Sequence, residues 1–422
     1  MTLRSYVKAK WLTHDPARIR DFASDPLITQ NVSAKLLLDL DRMAARVVAD
    51  AAAIFTPTQI LLSGSDSVVE KRPQLEFFER LGAPVKEKHE FPGFYHDTFG
   101  EKDRQAPIEQ ARRFILQSFQ RPRSRYSLVD ADKAGATRQE FDALSRPLPL
   151  RSAAALKFRA LRIGVSLGGK LSRGLRLGLE TGFDSGSTLD YVYRNQPSGV
   201  SPVGRTIDRF YLDSIGWRGI RVRKVHVEKL VTHAIDELLA RGTPVRILDI
   251  AAGHGRYVLD ALNGHSSHVE RILLRDWDVD NVRHGEALIA QRNLGSIARF
   301  ERGDAFDRAS IASIRPRPSI AIVSGLYELF PENALVTRSL AGLSEAVPSG
   351  GYLVYTGQPW HPQLEMIART LTSHREGQPW VMRRRTQGEL DQLVEAAGFE
   401  KIEQLTDDWG VFTVSLARRV AS

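Results

Sequence analysis

The 422-residue chain contains no cysteine. This excludes disulfide frameworks, thiolate zinc sites, iron–sulfur clusters and a cysteine nucleophile, and makes the cytoplasm the expected compartment. No run of about 18 apolar residues is present, as a spanning helix would need. The opening MTLRSYVKAKWLTHDPAR lacks the apolar centre of a signal peptide. Glycine is missing from residues 1–63, so no glycine-flanked serine elbow can be built there. Repeats of about 20–50 residues are also absent, against solenoids and propellers. No metal-ligand set is expected.

What is present suits a folded protein: 42% of residues are hydrophobic and 26% charged, enough apolar mass for ordinary cores. At about 150 residues per domain, the length fits two or three domains. The net charge of +9 lies entirely in the middle, where residues 121–240 hold 21 Lys+Arg against 12 Asp+Glu. Within it, Leu150–Leu179 carries Arg151, Lys157, Arg159, Arg162, Lys170, Arg173 and Arg176, with no acid before Glu180. Leu156, Ile163, Leu167, Leu171 and Leu175 recur among them at rough helical spacing. The stretch therefore reads either as a solvated face or as a surface for an anionic partner such as the inner membrane surface. Gly164, Gly168, Gly169, Gly174 and Gly178 weaken a continuous helix there.

Texture divides the chain into residues 1–119, a basic, proline-punctuated linker around a short helical piece over 120–150, a glycine-rich helical region over 151–240, and alternating strands and helices over 241–422. That last alternation argues a parallel sheet wrapped by helices. Val245–Ile250 reads as a buried strand running into Ala251-Ala-Gly253-His-Gly255-Arg and a helix. A strand turning through glycines exposes backbone N–H groups where no Cβ intervenes. Ile272–Asp276 is a second strand ending in an acid, 21 residues past Gly255, where a carboxylate can accept ribose hydroxyls. Further strands are read at Arg299–Asp304, Ser319–Ser324 and Gly351–Thr356. A nicotinamide site wants Gly or Ala where this chain has Val258. Thr386-Gln-Gly-Glu389 reads as a capping box, and Glu400–Leu405 and Trp409–Ala417 as a terminal pair of strands, a layout foreign to dinucleotide folds.

Leu248–Gly255, Asp276, Gly303-Asp304 and the Ala-Ala-Gly-Phe399 ending with its hairpin resemble class I S-adenosylmethionine-dependent methyltransferases over roughly 241–419. The run from Gly182 to Gln196 is similar to the methyltransferase half of bacterial fused α/β-hydrolase/methyltransferase proteins. The resemblance implies a Rossmann-like seven-stranded α/β sheet with a terminal antiparallel hairpin, preceded by a helical lid. It implies S-adenosyl-L-methionine as cofactor. Asp249, Ala251, Gly253 and Gly255 would hold its methionine part, Asp276 the ribose and Asp304 the adenine amino group.

Methyl transfer mainly requires two reactants held in contact, so a general base is optional. Tyr327 and Glu328, after the fourth strand, and His361, after the fifth, are the candidate catalytic residues. Asp184, Tyr191, Tyr193, Arg194, Tyr211 and Arg218 precede the first strand, where acceptor pockets are covered in this class. A strand-four Asn/Asp-Pro-Pro-aromatic loop is absent, against amide and exocyclic-amine methylation.

Near the N-terminus, Thr58–Ser63 and Val85–Glu90 read as strands flanking a helix that ends at Arg80. Asp66 and His96 follow the two strands, similar to the acid and histidine of α/β-hydrolases of the monoacylglycerol-lipase-like kind. The serine should precede them and does not. Residues 1–119 thus read as a partial, inactive hydrolase whose other half is missing or supplied separately. The function expected is methyl transfer to the oxygen or nitrogen of a small molecule, lipid-like or anionic. RNA or protein methylation and a decayed, non-catalytic scaffold are the alternatives, with nucleic acid the less favoured partner.

Overall fold

The computed structural model describes residues 2–5, 7–29, 31–121, 126–262 and 264–420. The chain divides into two compact units, residues 1–126 and 127–422. In the first, strands β1 (Thr2–Arg4) and β2 (Asn31–Ser33) pair antiparallel, while β3 (Thr58–Ser63) and β4 (Lys86–Phe91) pair in parallel. The helix Lys71–Arg80 links β3 to β4. The helix Ala34–Asp50 buries no residue, leaving Leu36, Leu38, Leu40 and Met43 exposed.

The second unit is organised on seven strands: β5 (Val245–Asp249), β6 (Val269–Asp276), β7 (Ala298–Arg302), β8 (Ile320–Val323), β9 (Tyr352–Gly357), β10 (Phe399–Thr406) and β11 (Thr413–Arg419). Their spatial order is β10-β11-β9-β8-β5-β6-β7. The five strands from β5 to β9 run parallel, and β11 enters antiparallel between β9 and β10. This is the expected sheet with its terminal hairpin. Every residue of β8 and β9 is buried, as continuous apolar runs require when helices cover both faces.

Alternate strand residues feed two cores. Ile247, Ile272, Ile320 and Val354 face one layer with Leu230, Val231 and Ile235 from the long helix Ile215–Ala240. Leu248, Leu273, Ala321 and Leu353 face the other, against Leu340 and Leu343 from the helix Asn333–Ala346. Truncating one such leucine, Leu353→Ala, would cost about 2–5 kcal/mol through lost transfer energy and the void left behind.

Two local readings change, and one gains detail. The short helical piece within residues 127–150 is the helix Ala136–Ser145. Asp132 accepts from the Asn333 N–H at 2.7 Å, and the Thr137 hydroxyl accepts from Arg383 at 3.0 Å. Residues 122–125 of the expected 120–150 linker lie outside the described residues. The last strand begins at Thr413 rather than Trp409, because the Asp407 carboxylate accepts from the N–H groups of Trp409, Val411 and Phe412 and bends them into a turn. The capping box is half formed. Thr386 accepts from the Glu389 N–H at 3.2 Å, while the Glu389 carboxylate is bound to buried Arg383 and Asn333 instead.

As its glycines imply, the basic region is not one continuous helix but breaks at residues 170–172. A helix spans Ala153–Gly169 and a second Arg173–Thr181. A Cβ at Gly169, Gly174 or Gly178 would overlap Leu179, Tyr211 or Phe183. These glycines permit close helix packing.

Candidate active site

The carboxyl ends of the parallel strands open onto a cleft of about 910 Å3. Its floor is the turn after β5, including Ala251, Gly253, His254 and Gly255, with Asp276 beyond β6 and Asp304 beyond β7. Gly253 and Gly255 have φ of +56° and +73°, conformations that side chains resist. At Gly255 a Cβ would also overlap Leu274. Asp276 accepts from the Gly253 N–H at 2.9 Å, the Asp278 N–H at 3.0 Å and the Asn281 amide at 3.0 Å. Three of roughly four carboxylate acceptor sites are thereby occupied. Burial raises the Asp276 pKa against those hydrogen bonds. Asp304 accepts from the Phe306 N–H at 2.8 Å. Trp277 and Arg302 stack at 4.7 Å on the cleft wall.

Asp249 stands apart from the other expected cofactor residues. It is wholly buried behind the turn and does not line the cleft. Its carboxylate accepts from the Tyr257 hydroxyl at 2.6 Å and the Ala251 N–H at 3.2 Å. Burial pushes its pKa up to about 7 despite these bonds.

The cleft is roofed by the segment before β5. At Gly186, which opens the helix Gly186–Arg194, a Cβ would overlap the Asn281 amide, and a Cβ on Gly253 would come to 3.4 Å from the Gly186 Cα, ordinary contact. Asp184 accepts from the Ser373 hydroxyl at 2.7 Å and the His374 N–H at 2.6 Å, pinning the loop that presents His374, Arg375 and Gln378 to the cleft. Burial opposes ionisation of Asp184, but the His374 ring, 3.0 Å away, together with the Ser373 hydroxyl and the His374 N–H holds the carboxyl below its usual range. Asp190, which sequence reasoning missed, joins Arg194 and Arg256 at the roof edge.

Behind the cleft is a smaller chamber of about 170 Å3, and the two share Asp184, Leu189, Gly325 and Leu329 as lining. Glu328, His361 and Tyr211 line the chamber, and Tyr193 lines the cleft. Glu328 is buried, with Oε1 3.4 Å from Arg223 Nη1. His361 Nδ1 accepts from the Gln363 N–H at 3.1 Å. Burial pushes the His361 pKa down to about 4, so the ring is neutral at pH 7 with its proton on Nε2.

The structure does not bring the remaining candidates to either cavity. Tyr327 turns into the core, its hydroxyl 3.0 Å from Ser339. Tyr191 donates to buried Asp208, which also accepts from the N–H groups of Gly174 and Ser198 and so knits the helices together. Arg194 joins the Asp190 cluster, and exposed Arg218 stacks over Trp409 at 4.7 Å. In the first unit, Asp66 Oδ2 lies 2.9 Å from His96 Nδ1, the pairing expected of an acid–histidine dyad.

These features define a methyltransferase-type sheet with its ligand cleft at the strand ends. Residues 111–419 match a family described as "Putative methyltransferase", and the chain belongs to that family. Residues 1–103 match the hydrolase family described as "Serine aminopeptidase, S33". A protein of Escherichia coli (strain K12), described as uncharacterized protein YnbC, is 52% identical over 418 residues, covering 99% of this chain and 71% of that protein. A solved structure of a possible exported protein from Bordetella parapertussis is 20% identical with a TM-score of 0.50, over 69% of this chain and 97% of that one, a likeness of fold alone. A SAM-dependent methyltransferase of Methanosarcina mazei is 20% identical with a TM-score of 0.33, over 42% of this chain and 94% of that one.

Proposed function

We propose that residues 127–422 transfer a methyl group from S-adenosyl-L-methionine to a small-molecule acceptor held in the inner chamber. The observation that carries this is the positive-φ glycine turn facing two strand-end carboxylates across a cleft of cofactor size. The residues fit the group. Gly253 and Gly255 leave open backbone at the turn, Asp276 retains acceptor capacity for ribose hydroxyls, and Asp304 is set for the adenine amino group. Asp249 acts from behind, fixing the turn through Tyr257 and Ala251. When bound, the cofactor supplies an electrophilic methyl carbon: the acceptor's lone pair forms the new bond as the carbon–sulfur bond breaks, its electron pair leaving with sulfur.

This chain's own part is positioning and exclusion of water, which bring reacting atoms together without a chemical step by the protein. The helix Gly186–Arg194 and the His374 loop cover the cleft. Glu328 is the candidate to take a proton from the acceptor. His361, neutral with its Nδ1 lone pair engaged, is a hydrogen-bond donor at Nε2 rather than a base. Equilibrium binding of S-adenosylhomocysteine, the demethylated product, tests the reading.

An anionic membrane surface is a second element of the reading. Leu156, Ile163 and Leu167 are each more than half exposed on the helix Ala153–Gly169, among exposed Lys157, Arg159 and Arg162. The same helix lines the chamber through Val165. Among the described residues no helix is long and apolar enough to cross a membrane, so this contact is peripheral. Co-sedimentation with phosphatidylglycerol vesicles, lost at high salt and lost in R159E/R162E, is the expected result; equal binding to neutral vesicles contradicts it.

A further inference from the structure

The lining of the inner chamber is mostly apolar, with Leu175, Ile220, Met366, Ile367 and Phe412 among its walls. Four polar groups in that lining are buried with a donor that meets no acceptor: Arg223 Nε, Gln358 Nε2, Trp380 Nε1 and the Tyr211 hydroxyl, whose oxygen faces the Trp217 indole. Arg223, Gln358 and Trp380 are each more than nine-tenths buried. Buried polar groups are nearly always paired, so four orphans around one cavity point to a ligand that pairs them. The nitrogens of Arg223 and Trp380 can only donate, and the tyrosine hydroxyl is free to. The missing partner must therefore present hydrogen-bond acceptors, such as carbonyl-type oxygens.

Size and charge narrow the class. A chamber of about 170 Å3 is close to the roughly 150 Å3 that accommodates one benzene ring. The stacked indoles of Trp217 and Trp380, 6.1 Å apart, offer a flat wall. Arg223 and Glu328 offset each other at 3.4 Å, so a neutral ligand enters without leaving a charge unpaired. A protonated amine would face the Arg223 cation and satisfy none of the four donors.

We propose that the chamber binds a compact, apolar, single-ring-sized molecule carrying a hydroxyl beside a carbonyl-type oxygen, and that the methyl group is set on the hydroxyl oxygen. The carbonyl oxygen accepts from the orphan donors, and the hydroxyl donates to Glu328. On transfer, the oxygen–hydrogen bond breaks with its proton passing to the Glu328 carboxylate, and the oxygen–carbon bond forms as the sulfonium loses its methyl. This inference rests on the methyltransferase reading for the reaction, but not for binding.

Saturation-transfer NMR titration of the full chain with 2-hydroxyacetophenone and with benzylamine tests it. The hydroxyketone is expected to saturate and to bind at least about tenfold tighter than the amine, while Trp380→Phe and Gln358→Leu each weaken it about three- to tenfold, the loss of one buried hydrogen bond. Unfolding curves identify any variant that fails to fold, in which case the other decides. Equal or tighter binding of benzylamine, no saturable binding of the hydroxyketone, or unchanged affinity in a folded variant would overturn the proposal. S-adenosylhomocysteine binding on the same sample separates the two ideas. If it binds while the probes are not discriminated, the chamber inference alone is wrong. If it does not bind while the probes are, the cofactor reading alone is wrong.

Discussion

The Tyr257 hydroxyl donates to Asp249 Oδ2 at 2.6 Å, joining the first turn of the helix Arg256–Ala261 to the end of β5 beneath the glycine turn. Both side chains are buried. Asp249 titrates near 7 because burial disfavours its charge, and nearby Asp276 adds to the effect. The folded state therefore binds a proton that the unfolded chain, with an aspartate pKa near 3.8, releases earlier. Stability from this group is fully present below pH ~4 and declines as pH rises towards about 7, with a slope up to ~1.4 kcal/mol per pH unit. Urea unfolding measured between those limits should show Asp249→Asn with a flatter profile than the parent. Parallel profiles would contradict the assignment.

Gly255 and Gly242 both adopt positive φ, but only Gly255 has a neighbour in the way of a Cβ. Gly242→Ala should cost about 1–2 kcal/mol of backbone strain alone. Gly255→Ala adds displacement of Leu274, about 1–3 kcal/mol more, and reshapes the cleft floor. Thermal unfolding and S-adenosylhomocysteine titration should agree: a greater than about tenfold affinity loss at 255 and none at 242. Equal effects would mean the turn does not shape the cleft.

In the first unit Asp66 and His96 pair as the acid and histidine of a hydrolase triad would. Burial favours the neutral form of Asp66, yet hydrogen bonds from His96 and from the N–H groups of Val68 and Val69 hold its pKa below the usual range. Residues 1–63 hold no glycine to flank a serine elbow, so we propose that this dyad activates no nucleophile within the chain. The chain of this sequence should leave a fluorophosphonate probe unreacted and show no esterase activity. Covalent labelling at a serine within residues 1–126 would contradict this.

The sheet was legible because its signals are local. Ile320–Val323 is apolar throughout, Val245–Asp249 breaks its apolar run only at Arg246 before the terminal acid, and glycines with strand-end acids mark the ligand side. Asp276 and Asp304 therefore fall in the cleft. The chamber was less legible. Arg223 and Glu328 meet across 105 residues, and Asp184 and Ser373 across 189, pairings that no local period encodes. Tyr327 and Glu328 are neighbours in sequence, but the short helix Tyr327–Leu329 sends one side chain to the core and the other to the chamber. The four unpaired polar groups come from separate segments and become a set only once folded.

The most direct measurement is calorimetric titration of the purified chain with S-adenosylhomocysteine, alongside Asp276→Ala. Saturable one-site binding in the micromolar range, weakened at least about tenfold in the variant through loss of a charge-assisted hydrogen bond, is the predicted result. No heat at millimolar ligand, or undiminished affinity in a folded Asp276→Ala protein, would contradict it.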